Sequence, residues 1–593
     1  DYSMGERHNL EIINIMNKNA TLNNNVPKEF QGLDRYVARD KIVKAIKKLN
    51  LLDKIEEYNN KVGHSERTDS VIEPYLSKQW FLKMDKLSKP AIDAIKSGDV
   101  KFYPDRWTKT YFHWMENIRD WCISRQLWWG HRIPVWYKND EIYCSETPPK
   151  DDGWIQEEDV LDTWFSSWLW PFATLGWPKN KEEVDKYYPT QDLVTGPDII
   201  FFWVARMIMA GLYFKNEVPF SNVYFTGLVR DEQGRKMSKS LGNSPDPIEL
   251  IDKYGSDALR VGLLLIAPQG LDILFSEDRI ENGRNFMNKL WNSARFVLMN
   301  LDDCSHTDFI YENMSDLDLT DKWIISSLNK TIKDVDDSYN KYKMNTAVKR
   351  VYDFVYNDFC DWYIEFSKSR FYGVNQEDRA TAQCVSLHIL KSIVKLLHPY
   401  TPYITEEIWS HIRDNDDSLL IQTEWPSYQK NQINDIVEEK VDLLMKVISA
   451  IRSIRTNLGI SPKKTAKLFI RGDEKIAKII VSHSEYLDRL VKIENIEYGK
   501  NIEKPSQSAT SVVNNLELFI PLANLIDIDK EVDRLQNQIK EFEGRLKSVN
   551  GKLSNPNFID RAPKPVVDNE KEKQLIYQNN LDKLIENLSS IQS

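Results

Sequence analysis

The C-terminal segment has the most regular pattern of apolar and polar positions in the chain. Apolar residues recur there at alternating steps of three and four, at Leu525, Ile528, Val532, Leu535, Ile539, Phe542, Leu546, Val549 and Leu553. This a/d spacing predicts a long helix with one apolar seam. Prolines follow, and a second seam runs through Tyr577, Leu581, Leu584, Leu588 and Ile591. Two seams around a proline-rich turn favour an antiparallel helical hairpin over a coiled coil between two chains.

Residues 275–425 repeat apolar positions at the period of an α-helix. The positions include Trp323, Ile324, Leu328, Ile332, Val335, Val348, Val351, Phe354 and Val355. This period predicts a helical bundle.

The remaining segments mix helical and strand patterns. We expect helices over about 35–58, 198–214 and 246–254, an apolar stretch at 258–266, and strands at 11–16, 222–228, 466–470 and 516–520. A basic helix is expected between residue 440 and the last two strands. The chain is therefore predicted to be multidomain, with α/β and all-α parts.

Length and composition describe an ordinary globular protein of several domains. The chain has 593 residues, of which 28% are charged and 41% hydrophobic, and this length predicts three to five domains. No apolar run approaches the roughly 18 residues of a membrane span, and no signal peptide is recognisable. The five cysteines are scattered without a C-x-x-C pair, which favours a reducing compartment.

The net charge of −10 does not suggest a nucleic-acid-binding protein, but it hides a basic segment. Residues 443–472 contain no acid and seven basic residues: Lys446, Arg452, Arg455, Lys463, Lys464, Lys467 and Arg471. Such a local excess is typical of a phosphate-binding surface. The alternative is a basic helix face packed on an acidic neighbour.

One short loop carries the clearest chemistry. Residues 235–243 place two lysines and two serines before a glycine, namely Lys236, Ser238, Lys239, Ser240 and Gly242. Lysines supply mobile positive charges, and hydroxyl and backbone N–H groups supply donors, so this loop can close over a polyphosphate. By itself the run favours a solvated basic turn or a kinase target, because short motifs match by chance.

Two further features have both a functional and a structural interpretation. Thirteen of the 18 tryptophans lie between Trp80 and Trp203, which indicates either core or an apolar substrate pocket. The run Thr195-Gly196-Pro197-Asp198 begins the predicted apolar helix. Asp198 can accept hydrogen bonds from two vicinal hydroxyls of a ribose, and it can equally be a helix N-cap.

Several runs together resemble the valyl-tRNA synthetases, a family of class I aminoacyl-tRNA synthetases. Residues 235–243 resemble the KMSKS signature of that class, and 243–260 resemble its sequel. The runs at 119–136, 159–167 and 171–178 resemble the valyl version of the catalytic domain, as does the C-terminal hairpin. The resemblance covers nearly the whole chain, and in combination these motifs are highly specific.

The resemblance implies five domains. They are an editing-domain remnant at 1–60, the second part of a Rossmann-type catalytic domain at 61–275, a helical anticodon-binding bundle at 276–430, a basic α/β junction at 431–525 and a coiled-coil tRNA-binding arm at 526–593. The implied reaction is ATP-dependent activation of valine and transfer to tRNA(Val), with hydrolytic editing of mischarged threonine in the intact protein.

The resemblance also implies roles for individual residues. Those implied for catalysis are Lys236, Ser238, Lys239 and Ser240, and those for ATP are Lys239, Gly196 and Asp198. Those implied for the valine pocket are Trp136, Trp164, Asp159 and Asp162. Asp1 is implied for editing, and Arg452, Arg455, Lys463 and Lys464 for tRNA.

The expected partners are valine, ATP with Mg²⁺, and tRNA(Val), for a cytoplasmic monomer without a membrane. Some relatives carry a four-cysteine zinc module between Tyr137 and Asp159, where this chain has only Cys144, so no zinc is expected.

The chain departs from the family pattern at its start. None of its nine histidines begins an H-x-G-H motif, so we expect that the chain begins mid-protein and forms no adenylate on its own. Two other readings stay open: an isoleucyl-type synthetase of the same class, and a non-catalytic tRNA-binding scaffold derived from one.

Overall fold

The computed structural model describes residues 2–65, 68–238, 241–301, 317–413, 418–523, 525–556, 558 and 563–592. The chain forms two compact units. The first comprises residues 1–100, 108–191 and 199–221, and the second comprises 101–107, 192–198 and 222–593.

The first unit consists of short strands and helices around an aromatic core. A three-stranded antiparallel sheet has Val135–Lys138 at its centre, between Glu141–Cys144 and Ile155–Gln156. Two strand pairs join Phe81–Leu82 to Trp121–Cys122 and Ser124–Arg125 to Val160–Leu161. The helices are Tyr2–His8, Arg35–Lys48, Asp85–Ser97, Arg106–Glu116, Thr163–Ser167, Trp170–Ala173, Glu182–Tyr187 and Ala205–Phe214.

The second unit begins with a small parallel sheet. The strand Lys101–Tyr103 pairs in parallel with residues 222–224 of the strand Phe220–Phe225, which also neighbours Thr190–Thr195. A second parallel pair joins Val229–Arg230 to Ile273–Leu274. The helices Pro247–Tyr254 and Ser256–Leu265 lie between these two strands in sequence. Asp246 caps the first helix by accepting a hydrogen bond from the backbone N–H of Ile248.

A helical bundle follows, as the apolar period predicts. Its helices are Glu277–Leu298, Leu319–Tyr339, Met344–Asp353, Phe354–Tyr363 (a π-helix), Ile364–Phe371, Gln376–Leu397, Pro402–Ile412 and Asp435–Asn457. Inside it, the Arg370 guanidinium donates to the fully buried Asp321 carboxylate at 2.8 Å. Burial raises the pKa of Asp321 against the opposing effect of Arg370.

The junction after the bundle contains a four-stranded sheet. Its strand order is Ile493–Gly499, Ala466–Arg471, Leu516–Pro521 and Ser508–Val513, and the helices Glu474–Val481 and Ser484–Val491 accompany it. The pattern predicted the second and third of these strands. The strands at 493–499 and 508–513 were not predicted, since their charged and small residues hide the alternation.

Two long helices, Ile528–Leu553 and Lys564–Gln592, form the C-terminal hairpin. Contacts between Lys552 and Glu570 and between Phe542 and Tyr577 show that they run antiparallel. At the base, Leu535 is fully buried in the same hydrophobic core as the junction, and Leu584 packs against that core. The base of the hairpin is therefore fixed to the junction.

Three predicted elements differ from the structure. Residues 11–16 form no strand, and Leu10, Ile12 and Ile13 are exposed. The predicted helix over 35–58 ends at Lys48, because Asn50 has a positive φ of 55°. The predicted helix over 198–214 starts as the 3₁₀ turn Pro197–Ile199 and the π-helix Ile200–Val204, and becomes an α-helix only at Ala205.

Among the described residues, two helices are long and apolar enough to cross a membrane by length and composition, Pro197–Phe214 and Gln376–Leu397. Half of the apolar window of the first and 67% of that of the second lie buried inside the protein. Core helices pass the same test, so this is weak evidence for a membrane.

Candidate active site

The basic loop begins as a tight hairpin built on one carboxylate. Residues Arg230 and Lys236 form an antiparallel bridge, and Gly234 takes the positive φ of 77° that the turn between them requires. The Asp231 carboxylate accepts hydrogen bonds from the backbone N–H of Arg235 at 2.8 Å and from its Nε at 2.7 Å. These two hydrogen bonds to the Asp231 carboxylate therefore stabilise the turn.

Asn243 connects the far end of the loop to the same carboxylate. Its Nδ2 donates to Asp231 at 3.0 Å, and its Oδ1 accepts from the backbone N–H of Ser238 at 2.9 Å. The hydrogen bond from Asn243, together with those from Arg235, lowers the pKa of Asp231 to about 2. The two ends of the loop are thus tied together, although Asp231 and Asn243 are twelve residues apart.

This bracing leaves the predicted phosphate-binding groups accessible. Lys236 is exposed and Ser238 is half-buried, with the Ser238 Oγ accepting from the backbone N–H of Leu241 at 3.3 Å. Lys239 and Ser240, also predicted for catalysis, lie outside the described residues. The described part of the loop therefore presents one lysine.

Gly196 and Asp198 lie beside each other after the strand Thr190–Thr195. A Cβ on Gly196 would lie 2.7 Å from the Asp198 Oδ1, so the absence of a side chain at 196 leaves room for this carboxylate. Asp198 is exposed and has the accessibility that a ribose contact needs. Nearby, a Cβ on Gly227 would overlap the backbone oxygen of Leu271, so a glycine is required there.

A cavity of roughly 660 Å³ in the first unit brings together two of the four residues predicted for the valine pocket. Trp164 and Asp162 line it, and the Trp164 ring stacks on Phe202 with 5.7 Å between centroids. Asp162 caps the helix Thr163–Ser167 and is itself buried. Its Oδ2 accepts from the Trp121 Nε1 at 2.9 Å and from Arg125 at 2.8 Å.

Arg206 also lines this cavity, and the sequence pattern did not indicate it. Its guanidinium carbon lies 3.6 Å from the centroid of the Trp121 ring, and its Nη1 lies 3.9 Å from Asp162. The side chain is buried, and its Nε and Nη1 have no hydrogen-bond partner. Burial lowers the pKa of Arg206 to about 10. Its place in a run of apolar residues, FFWVARMIM, is the one signal that could have identified it.

Trp136 and Asp159, the other two residues predicted for the pocket, lie elsewhere in the first unit. Trp136 sits in the central strand Val135–Lys138, and its Nε1 donates to the backbone oxygen of Ser145. Asp159 lines a separate polar cavity of roughly 680 Å³ together with Lys18 and Arg35. Burial raises the pKa of Asp159, with further contributions from two neighbouring glutamates. The structure therefore does not bring these two residues to Trp164.

The four basic residues predicted to hold tRNA fall into two groups. Arg452 and Lys463 are exposed, and the Arg452 guanidinium lies 5.4 Å from the Trp362 ring centroid. Lys464 is exposed, but its Nζ donates to the backbone oxygen of Leu525 at 2.9 Å. These three remain near the surface.

Arg455 corrects the prediction, because it is buried. Its guanidinium donates to the backbone oxygens of Ser461, Lys464 and Lys492 at 3.0–3.3 Å. Burial also lowers its pKa. Arg455 thus joins the end of the helix Asp435–Asn457 to the loop and strand that follow, and its charge does not face solvent. Lys464 also donates to a backbone oxygen, at the base of the hairpin, but unlike Arg455 it stays exposed.

Among the described residues, no group of three or more histidine, cysteine, aspartate or glutamate side chains could hold a metal ion. Cys144 lies exposed in the edge strand Glu141–Cys144.

Three family descriptions match the chain in the order of its domains. Residues 6–276 match tRNA synthetases class I (I, L, M and V), residues 321–470 match the anticodon-binding domain of tRNA ligase, and residues 527–592 match the valyl tRNA synthetase tRNA binding arm. The loop at 231–243 lies within the first match, and most of the bundle lies within the second. The protein is an aminoacyl-tRNA ligase of class I, mostly helical, with the catalytic fold of that class and an anticodon-binding domain.

Individual relatives narrow this class. The valine–tRNA ligase of Clostridium tetani is 44% identical over 603 residues, covering 100% of this chain and 68% of that protein. That of Clostridium acetobutylicum is also 44% identical, with the same coverage of both chains. The solved methionyl-tRNA synthetase of Mycobacterium tuberculosis with methionyl-adenylate is 19% identical, with a TM-score of 0.48, covering 59% of this chain and 65% of that one. The chain belongs to the valine–tRNA ligase family.

Proposed function

We propose that the protein activates valine with ATP and transfers the valyl group to tRNA(Val). The observation that carries this proposal is the braced loop of Asp231 and Asn243, which leaves Lys236 free to meet phosphate in a chain 44% identical to valine–tRNA ligases. Valine carboxylate attacks the α-phosphate of ATP, and pyrophosphate leaves. Negative charge accumulates on the phosphates in that transition state, and fixed positive charges stabilise it.

In this proposal Lys236 and Lys239 bind the phosphates of ATP, and the hydroxyls of Ser238 and Ser240 donate to them. Asp198 accepts hydrogen bonds from the ribose hydroxyls, and Gly196 leaves room for it. Mg²⁺ enters with ATP as part of the substrate. The bracing of Asp231 and Asn243 supports this assignment, because a preorganised loop loses less freedom when it closes on the nucleotide.

The valine pocket in this proposal is the cavity lined by Trp164 and Asp162, without Trp136 and Asp159. The stacked pair of Trp164 and Phe202 offers an apolar wall to an isopropyl group. An apolar wall cannot firmly reject threonine, which is nearly isosteric with valine. Hydrolytic editing of threonyl-tRNA supplies the missing selectivity, and we assign its last carboxylate to Asp1, which lies outside the described residues.

We further propose five domains with the bounds 1–60, 61–275, 276–430, 431–525 and 526–593. The bundle binds the anticodon region, and the exposed Arg452, Lys463 and Lys464 bind the phosphate backbone of the tRNA. The hairpin acts as a coiled-coil arm along the tRNA, and its exposed Lys540, Arg545 and Lys547 support this role. The protein works as a cytoplasmic monomer without zinc.

Amino-acid-dependent ATP–pyrophosphate exchange tests this function in the natural full-length protein. Exchange with valine, and far less with isoleucine, supports it; exchange with neither, or faster exchange with isoleucine, contradicts it. The variant Lys236→Ala is expected to lower kcat by about 10²- to 10³-fold, the effect of losing one transition-state donor. The matched control is Lys179→Ala, an exposed lysine of the first unit, which should keep the rate of the unaltered protein.

A further inference from the structure

A single helix face connects the segment behind the loop to the bundle. The Asp257 carboxylate accepts hydrogen bonds from the backbone N–H of Ile404 at 2.7 Å and of Tyr403 at 3.4 Å. These N–H groups belong to the first turn of the helix Pro402–Ile412, which has no preceding carbonyls to bind them. Asp257 is only 7% exposed, so the carboxylate is committed to this helix.

Arg260 binds the backbone just before the same helix. Its Nε donates to the backbone oxygen of Tyr400 at 2.9 Å, and its Nη2 donates to that of Pro399 at 3.0 Å. Asp257 and Arg260 are three residues apart on the helix Ser256–Leu265 and therefore project from one face. The Asp257 carboxylate accepts from N–H groups, and the Arg260 guanidinium donates to carbonyl groups. Only one register of the helix Ser256–Leu265 against residues 399–404 therefore satisfies all four hydrogen bonds.

The helix that carries both residues cannot shift independently of the bundle. It crosses the helix Glu277–Leu298 at glycines: a Cβ on Gly262 would lie 2.9 Å from the Arg279 backbone oxygen, and one on Gly283 would overlap that of Ala258. Because backbone atoms make these contacts, no side-chain rearrangement could accommodate a movement of one helix against the other. On the other side, the helix Pro247–Tyr254 begins at the Asp246 cap, three residues after Asn243.

These contacts join two regions that match different family descriptions. Asp257 and Arg260 lie in the class I synthetase match at 6–276, and Pro399 to Ile404 lie in the anticodon-binding match at 321–470. A displacement of the helix Pro402–Ile412 would therefore move the helix Ser256–Leu265 with it, and the helix Pro247–Tyr254 connects that helix in sequence to the end of the loop at Asn243.

We propose that Asp257 and Arg260 are positioning residues which make the rate of valine activation and transfer depend on the anticodon-binding bundle. Neither residue touches substrate. They hold the helix Ser256–Leu265, which follows the loop in the chain, against the start of the helix Pro402–Ile412, so that tRNA bound on the bundle favours one position of Lys236. This proposal rests on the proposed function, because it needs a working nucleotide loop.

The test measures aminoacylation of two tRNA(Val) transcripts, one with its own anticodon and one with a substituted anticodon. The readout is the ratio of their kcat/KM values in the natural full-length protein. The variants are Asp257→Asn and Arg260→Gln. Each is expected to lower this ratio by about tenfold, the usual size of a coupling between sites, and to keep KM for valine within about twofold. Arg260→Lys, which keeps the charge, should restore part of the ratio.

The matched control is Glu277→Gln, which removes an exposed ion pair with Lys253 between two of the same helices and should leave the ratio unchanged. If both tRNAs lose kcat/KM equally in the Asp257 and Arg260 variants, the residues are merely structural and the inference is overturned. Should Asp257→Asn fail to fold, Arg260→Gln and Arg260→Lys decide the question. A failure of the proposed function is recognised separately, as absence of valine-dependent exchange in the unaltered protein.

Discussion

The side-chain amide of Asn243 donates to the Asp231 carboxylate at 3.0 Å and so closes the base of the loop that presents Lys236. The same amide group also binds the backbone on both sides of Met237, through Lys236 O at 3.3 Å and Ser238 N–H at 2.9 Å. One asparagine thus organises the segment that we propose to bind ATP phosphates, although it supplies no charge.

Replacing Asn243 with alanine is expected to lower kcat for valine-dependent pyrophosphate exchange by about 10²-fold, because misplacing catalytic charges costs on that order. KM for valine should change little, since the change lies outside the cavity of Trp164. The control is Gln233→Ala, whose side chain is exposed in the same turn. An equal loss in both variants would show that the turn is merely sensitive to substitution.

The low pKa of Asp231 predicts how the loop responds to acid. Its folded pKa of about 2 lies below the usual value near 4 of an unfolded aspartate. Its contribution to loop order is therefore fully present above pH 4 and is lost as the pH falls toward 2. Amide hydrogen exchange at Gln233 and Arg235, corrected for the intrinsic rate, should stay constant from pH 7 to pH 5. Loss of protection within that range would contradict the prediction.

The buried Arg206 is expected to lower the stability of the protein while it supports valine binding. Its guanidinium is buried with two unpaired nitrogens, so Arg206→Met should leave the melting temperature unchanged or raise it. The same change removes the cation from the Trp121 ring and from Asp162, and KM for valine should rise about tenfold as the Trp164 wall loosens. Thermal unfolding and exchange kinetics measure the two effects. A strong fall in melting temperature would instead make Arg206 part of the core.

Arg455 and Lys463 should behave oppositely although both are basic residues of one segment. Arg455→Ala removes three bonds to backbone oxygens in a buried place and should destabilise the protein by about 2–4 kcal/mol. Lys463→Ala should leave stability unchanged and weaken tRNA binding. It should reduce the slope of log affinity against log salt by about 0.7–0.9. Urea unfolding and filter binding at several salt concentrations separate the two roles.

Only the part of the hairpin beyond its base should be removable without unfolding the rest of the protein. Leu535 is fully buried with the junction, so a cut at residue 527 would expose core. Replacing 540–581 with a short glycine–serine linker should preserve folding and valine activation. Affinity for tRNA should fall in this variant, since it loses Lys540, Arg545, Lys547 and Lys552. Unchanged tRNA affinity would rule out the arm.

The apolar pattern predicted helices well where segments nearby in the chain bury their apolar face. None of the nine seam positions from Leu525 to Leu553 is exposed, because the partner helix and, at the base, the core of the junction cover the stripe that the period defines. The strand expected at 11–16 was wrong, because alternating apolar residues form a strand only where a neighbouring strand pairs with them. Of the residues predicted for the valine pocket, Trp164 and Asp162 line one cavity, whereas Trp136 lies in a separate sheet, because the chain between them folds into different elements.

The sequence by itself determined the long helices and the order of the three regions that match family descriptions, and it placed the lysines and serines of the loop at 235–243 together, since these features depend on residues close together in the chain. The tertiary structure decided which charged residues face solvent and which bind backbone. Arg455 reaches Lys492 and Asp257 reaches Ile404, which are 37 and 147 residues away. Burial is a property of what packs on a residue, and no local pattern states what a distant segment will cover.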